Sequence, residues 1–166
     1  MKTNHNHFLQ LAFNLAKINL GKTGFNPSVG CVVVKNNSVI SSGYTSLKGR
    51  PHAEFNALRF KKNFKGSDLY VTMEPCTHYG LTPPCTNIIV KKGIKRVFFS
   101  FNDIDKRTAN KSKIDLNKKK IKVFKKKINY YNDFYESYFL SKKKSAPFID
   151  AKIAISKDYL TINNRS

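Results

Sequence analysis

A three-layer α/β/α sandwich around a central mixed sheet is the fold class that this sequence predicts. Two observations carry the prediction. Along the chain the apolar residues switch between three- to four-residue steps and short continuous runs, in the order helix, two strands, helix, strand, helix, strand. The 166 residues also suffice for one domain with a single sizeable core and a short appendage.

Phe8, Leu11, Ala12, Leu15, Ala16 and Ile18 recur at helical spacing and predict an amphipathic helix, ended near Gly21 and Gly24. Residues 29–34 read as a buried strand and 39–40 as its partner, with Lys35-Asn36-Asn37-Ser38 closing a hairpin between them. Pro51 suits the start of a helix carrying His52, Ala53, Glu54, Ala57 and Leu58. A strand over 69–73 is closed by Glu74-Pro75, and Pro83-Pro84 precede a helix over 85–92 that Gly93 stops. Residues 96–101 and 121–124 read as further strands, and 130–140 as a last helix. There is no internal repeat. The first domain is expected to occupy residues 1–141. Residues 142–166 are then a linker, centred on 141–146, and one more strand over 147–156 without a partner in that domain.

Forty per cent apolar content, with 13 Phe and 8 Tyr, excludes a disordered chain. No apolar run approaches the roughly 20 residues that span a bilayer, and residues 1–10 are polar, unlike a secretory signal. The cytoplasm is the expected location, with no membrane partner. The net charge of +21 divides unevenly, with +7 on residues 1–85 and +14 on residues 86–166. Lysine triplets at 118–120, 125–127 and 142–144 supply much of the excess. Such a surplus favours phosphate-bearing partners and permits nucleic-acid binding. It does not demand it, because abundant Lys, Asn and Ile are also what an AT-rich coding sequence produces. Nucleic acid is therefore not an expected partner.

Three cysteines cannot all pair within one chain, and in a reducing compartment their usual uses are burial or metal ligation. Cys31, inside an apolar strand, reads as a small core residue. Cys76 and Cys85 belong instead with a histidine. His52-Ala53-Glu54, Glu74-Pro75-Cys76 and Pro83-Pro84-Cys85 each fall at the end of a predicted strand or the start of a predicted helix. His52, Cys76 and Cys85 offer one imidazole and two thiolates, a set suited to tetrahedral Zn2+ with its fourth position open, as in catalytic sites. Zinc lowers the pKa of a bound water toward about 7. At a helix start His52 can face the metal while Glu54 leans over the open position, where a carboxylate can carry a proton from water to a ring nitrogen and a leaving amine. Cys85 at a helix N-terminus is expected to favour the thiolate, and a tight turn after Pro75 is expected to aim backbone N–H groups at Cys76.

Singly, His-x-Glu and Pro-Cys are ordinary surface and turn features. Jointly, in this order, they resemble the signature of zinc deaminases, in which the glutamate is acid and base, not ligand. Eight residues separate the two cysteines here, against two in the common form of that signature. The segment Pro75-Cys76-Thr77-His78-Tyr79-Gly80-Leu81-Thr82-Pro83-Pro84-Cys85 resembles the riboflavin-biosynthesis deaminases, the deaminase half of a bifunctional deaminase/reductase. So do Asn26-Pro27-Ser28-Val29-Gly30, Pro51-His52-Ala53-Glu54, Tyr70-Val71-Thr72-Met73-Glu74-Pro75-Cys76 and Gly93-Ile94-Lys95-Arg96-Val97. The resemblance implies a cytidine deaminase-like fold, Zn2+ as cofactor and a phosphoribosylated pyrimidine as small-molecule partner. The implied reaction converts 2,5-diamino-6-ribosylamino-4(3H)-pyrimidinone 5′-phosphate to the pyrimidinedione with release of ammonia. Glu54 would be catalytic, and His52, Cys76 and Cys85 the metal ligands. Asn26 matches a position that hydrogen-bonds the pyrimidine, His78 one that contacts substrate, and Thr82 one near the phosphoribosyl group. A homo-oligomer is also implied.

The chain departs from that pattern at three places. Leu81 stands where the family usually has Lys or Arg to meet the phosphate, and Thr45 where it often has His. Asp103-Ile104-Asp105-Lys106 and Thr108-Ala109-Asn110-Lys111-Ser112 replace the usual Asp-Pro-Asn-Pro and the glycine-containing stretch that follows. These changes leave the zinc chemistry intact and bear on phosphate recognition, for which Lys48 or Arg50 stand near enough to compensate. The strand over 147–156 resembles the opening of the family's reductase domain, with Lys152 and Ala154 at the edge of its nicotinamide site. Reductase activity is expected to be absent, and a separate protein would supply it; the apolar strand would need cover from a partner chain. Two other functions fit less well: a nucleoside, base or tRNA adenosine deaminase of the same fold, against which the long cysteine loop argues, and an idle zinc-stabilised assembly module, against which Glu54 argues.

Overall fold

The computed structural model describes residues 4–144, 149 and 151–158. Strands β1 (Gly30–Lys35), β2 (Ser38–Tyr44), β3 (Asp68–Met73), β4 (Arg96–Phe101) and β5 (Lys122–Lys125) form one sheet in the order β2-β1-β3-β4-β5. β1 runs antiparallel to both neighbours, with Cys31 opposite Val71, whereas β3, β4 and β5 are parallel, with Leu69 opposite Val97. The sheet is therefore mixed, as predicted. Cys31 is fully buried in β1. Asn36 and Asn37 close the β1–β2 hairpin at φ 50° and 61°, the left-handed region that Asn tolerates better than most residues and a two-residue hairpin demands.

Helix α1 (His5–Lys17) covers one face, while α2 (Ala53–Leu58), α3 (Cys85–Lys91) and α4 (Ser112–Lys118) cover the other. Two glycines set the depth of this packing. A Cβ on Gly30 would lie 1.8 Å from the Ala12 carbonyl oxygen of α1, and one on Gly43 would lie 2.5 Å from the Ala57 nitrogen of α2. Only a bare backbone lets each helix come so close. On the α1 face the rings of Tyr70 and Phe98 stack at 4.8 Å, and those of Phe98 and Phe124 at 5.0 Å. This aromatic row ties β3, β4 and β5 together through side chains as well as through the ladder.

The structure differs from the sequence reading at the C-terminal end. Instead of one helix over 130–140 there is a short 3₁₀ turn, Asn129–Tyr131, further turns, and then helix α5 (Glu136–Lys144). The aromatic spacing suggested a continuous helix because Tyr131 and Tyr135 both point inward, Tyr131 stacking on Phe13 at 4.1 Å. Because α5 runs through Lys144, the expected linker over 141–146 begins inside a helix. Of the expected strand over 147–156, Pro147, Phe148 and Asp150 lie outside the described residues. Ile149 and residues 151–156 form no strand and are exposed. Helix α4 was not foreseen, since of its two large apolar residues only Leu116 is buried, Ile114 being exposed. Among the described residues no helix is long and apolar enough to cross a membrane.

Candidate active site

Three chain turns at one end of the sheet bring the predicted ligands together. β3 ends at Met73 and turns through Glu74-Pro75 to Cys76; Pro83-Pro84 deliver Cys85 as the first residue of α3; His52 directly precedes α2. Their ligand atoms all lie within 4.8 Å of one another. His52 Nδ1 is 3.4 Å from Cys85 Sγ and 3.7 Å from Cys76 Sγ. The other ring nitrogen, Nε2, is buried without a hydrogen-bond partner, so Nδ1 is the atom presented to a metal. One imidazole nitrogen and two sulfurs at this separation fit tetrahedral zinc, and no fourth His, Cys, Asp or Glu joins the group among the described residues.

The thiols behave as a pair. Cys76 is pulled down to about 4, chiefly by the hydrogen bond from the Cys85 thiol, with His52 and the Cys85 backbone N–H adding to it. Cys85 is pushed up, since its proton is the one held between the sulfurs and its site is buried. The Cys85 N–H donates to Cys76 Sγ at 3.2 Å. The backbone donor expected at Cys76 is thus present, but the helix N-terminus that was expected to favour a Cys85 thiolate favours Cys76 instead. A metal held here would have to displace the proton of Cys85 and meet His52 with Nδ1 free of one.

Glu54, the second residue of α2, is 4% exposed and lies outside the ligand group. Burial, reinforced by the Cys76 thiolate, raises its carboxyl from the ordinary range to about 7. A carboxyl so placed takes up and gives back protons near neutrality, as a general acid–base group must.

Glu54, His52 and Cys76 open into a cavity of about 360 Å³, which Asn26, Thr45, Arg50, Glu74, His78, Asp103, Asp105, Arg107, Tyr138 and Lys142 also line. Asn26 Nδ2 donates to the Gly49 carbonyl at 3.0 Å, which fixes the amide and leaves Oδ1 and one N–H for a ligand. His78 Nδ1 pairs with Thr108 Oγ1 at 2.9 Å. Thr82 is not part of the lining; it accepts from Arg50 Nη1 at 2.7 Å at the cavity's edge. Thr45 is buried, accepting from the Val29 N–H at 3.0 Å. Leu81 sits on the rim with 89% of its surface exposed. Lys48, Lys152 and Ala154 do not reach the cavity.

With this geometry in place, comparison with known proteins is direct. Residues 2–101 match the family "cytidine and deoxycytidylate deaminase zinc-binding region". The chain belongs to that family. The chain is 39% identical, over 110 residues, to the diaminohydroxyphosphoribosylamino-pyrimidine deaminase of Buchnera aphidicola subsp. Schizaphis graminum, covering 66% of this chain and 75% of that protein. It is 46% identical over 106 residues to riboflavin biosynthesis protein RibD of Aquifex aeolicus, covering 63% of this chain and 30% of that one. Among solved structures, the diaminohydroxyphosphoribosylaminopyrimidine deaminase/5-amino-6-(5-phosphoribosylamino)uracil reductase of Thermotoga maritima superposes with a TM-score of 0.83 at 32% identity. That match covers 93% of this chain and 45% of the other. The chain thus spans less than half the length of these last two relatives.

One residue of the site, Glu74, figures in the sequence only as part of the Glu74-Pro75-Cys76 motif, with no role assigned to it. Glu74 is buried, and both of its oxygens accept from the loop after β4. Oε1 takes the Ser112 N–H at 3.1 Å and its hydroxyl at 2.9 Å, and Oε2 takes the Asn110 N–H at 3.0 Å and the Asp103 N–H at 3.3 Å. The carboxylate therefore holds in place the segment that contributes Asp103, Asp105 and Arg107 to the cavity, and it caps the start of α4. Glu74→Ala is expected to leave the zinc content unchanged while raising KM by about tenfold or more, because several buried N–H groups lose their acceptor and the loop loosens. Zinc analysis beside steady-state kinetics checks this; an unchanged KM would show that the loop holds itself.

Proposed function

We propose that this deaminase hydrolyses 2,5-diamino-6-ribosylamino-4(3H)-pyrimidinone 5′-phosphate to 5-amino-6-ribosylamino-pyrimidinedione 5′-phosphate and ammonia, a step of riboflavin biosynthesis. The observation that carries this reading is the placement of buried Glu54 beside the His52/Cys76/Cys85 centre, in a cavity that also presents Asn26 and His78. The substrate is the one that the names of the Buchnera and Thermotoga relatives state for those proteins. The cavity lies within the size range of small-molecule sites.

His52, Cys76 and Cys85 would hold the zinc, and the chemistry it would supply there is activation of water near neutral pH. Asn26 pairs with the polar edge of the pyrimidine, accepting at Oδ1 and donating from Nδ2. His78, its Nδ1 engaged by Thr108, keeps Nε2 for the substrate. Glu54 takes up one proton from water and delivers it to the ring nitrogen, then moves the proton that leaves with the amine. Overall one C–N bond breaks, one C–O bond forms, and ammonia departs. Burial of Glu54 keeps that exchange away from bulk water.

The deciding experiment is ammonia release by zinc-loaded protein from the phosphorylated pyrimidinone, with cytidine alongside. Turnover of the pyrimidinone alone is expected. Turnover of cytidine in preference, or of neither compound with one zinc bound per chain, would sink the proposal.

A further inference from the structure

The 5′-phosphate of the substrate proposed above carries between one and two negative charges near neutrality and needs cationic donors within reach of the cavity; the inference that follows rests on that substrate. Leu81, exposed on the rim, offers none. Among the described residues, the Lys and Arg side chains lining the cavity are Arg50, Arg107 and Lys142.

Arg50 and Arg107 are joined through the cysteine loop. The Arg50 guanidinium is anchored by Nη1 on Thr82 Oγ1, and its Nη2 lies 3.6 Å from where a Cβ on Gly80 would stand. The same point is 3.8 Å from His78 Nε2. His78 in turn pairs with Thr108, the neighbour of Arg107, and the Arg107 carbonyl accepts from Thr77 at 3.2 Å. Gly80, with no side chain, leaves the space between Arg50 and His78 open. The two arginines differ in how far they are already neutralised. Arg107 is forked onto Asp105, with Nε to Oδ1 at 3.0 Å and Nη2 to Oδ2 at 2.6 Å, which leaves Nη1 and half of Nη2 as donors. No carboxylate lies in ion-pair range of Arg50 among the described residues. Lys142 sits over the Tyr138 ring, 5.9 Å from its centre, and adds positive potential from a further side.

We propose that the substrate's phosphate is bound at this rim, over Gly80, between Arg50 and Arg107, with Arg50 contributing the uncompensated charge. Arginine forks suit a phosphate's oxygens geometrically as well as electrostatically. The site replaces a basic residue at position 81 by one that reaches the same loop from the strand-to-helix connection before His52.

The test compares the phosphorylated substrate with its dephosphorylated counterpart on zinc-loaded wild-type protein, Arg50→Gln, Arg107→Gln and the distant control Arg59→Gln. Arg50→Gln is expected to raise KM for the phosphorylated compound on the order of 10- to 100-fold, the worth of a charge-assisted contact. Its KM for the dephosphorylated compound should rise far less, so that the preference for the phosphorylated compound collapses. Arg107→Gln is expected to do the same to a smaller degree, and Arg59→Gln to do nothing. Calorimetric titration with ribose 5-phosphate gives a readout independent of turnover: wild type should bind it and Arg50→Gln should not. If the variants keep the wild-type preference for the phosphorylated compound, or bind ribose 5-phosphate as well as wild type does, the phosphate site is wrong while the substrate reading stands. If wild type turns over neither compound yet binds ribose 5-phosphate through Arg50, the site stands and the substrate reading falls.

Discussion

Glu54→Gln is expected to keep one zinc per chain and to lose about 10²- to 10⁴-fold in turnover, the usual contribution of a positioned acid–base group. The substitution keeps the shape of the side chain and its capacity for hydrogen bonds, but a carboxamide cannot exchange a proton. Because Glu54 lies outside the ligand group, the metal should be retained, and zinc analysis separates a proton-transfer defect from a lost site. A second signature follows from the carboxyl's raised pKa of about 7. A group whose pKa is higher folded than unfolded contributes stability at low pH and loses it as pH rises through the folded value. In metal-free protein, Glu54→Gln should therefore gain on wild type in thermal midpoint between about pH 5 and pH 8. Wild-type turnover in the variant would remove Glu54 from the chemistry.

Cys85→Ala is expected to abolish both metal and activity. The side chain removed is one of the three grouped to hold a metal among the described residues, and it is also the partner that holds the proton shared with Cys76. Losing an inner ligand should cost zinc affinity at least the ~100-fold that losing a supporting hydrogen bond can cost, and the thermal midpoint should fall with it, since binding energy in such sites is folding energy. Cys31→Ala is the matching control: Cys31 is equally buried but stands in β1, outside the ligand group. It should lose some core packing and no zinc. Metal content by atomic absorption decides between the two, and a Cys31 variant that lost zinc while the Cys85 variant kept it would overturn the ligand assignment.

The grouping of His52, Cys76 and Cys85 was legible in the sequence because each sits in its own short, chemically distinctive segment, and prolines mark the turns that deliver Cys76 and Cys85. The sheet was legible for a similar reason: runs such as Val29–Val34 and Arg96–Phe101 are too continuous in apolar residues to be anything but buried strands. What the sequence concealed depends on contacts without local signals. Glu74 binds mainly backbone N–H groups some thirty residues further on, and a backbone donor has no letter in the sequence. Arg107 lies in the segment where the chain departs from the family's pattern, so resemblance was silent there. The split of the last helix was hidden because Tyr131, Phe134, Tyr135, Tyr138 and Phe139 keep helical spacing whether or not the turns between them are regular.

Among the described residues the sheet has two open flanks, β2 and β5, and an unpaired flank invites another chain to add a strand. At β2, the pairing with β1 is interrupted between Val33 and Val34, and such an irregularity twists the ribbon away from a flat template. At β5 the barrier is electrostatic. The strand is four residues long, begins and ends in lysine, follows the triplet at 118–120 and runs into the one at 125–127. A second molecule approaching edge to edge would bring the same row of charges against it. Repulsion of that kind opposes edge-to-edge pairing of two copies, and it should weaken as added salt shortens its range.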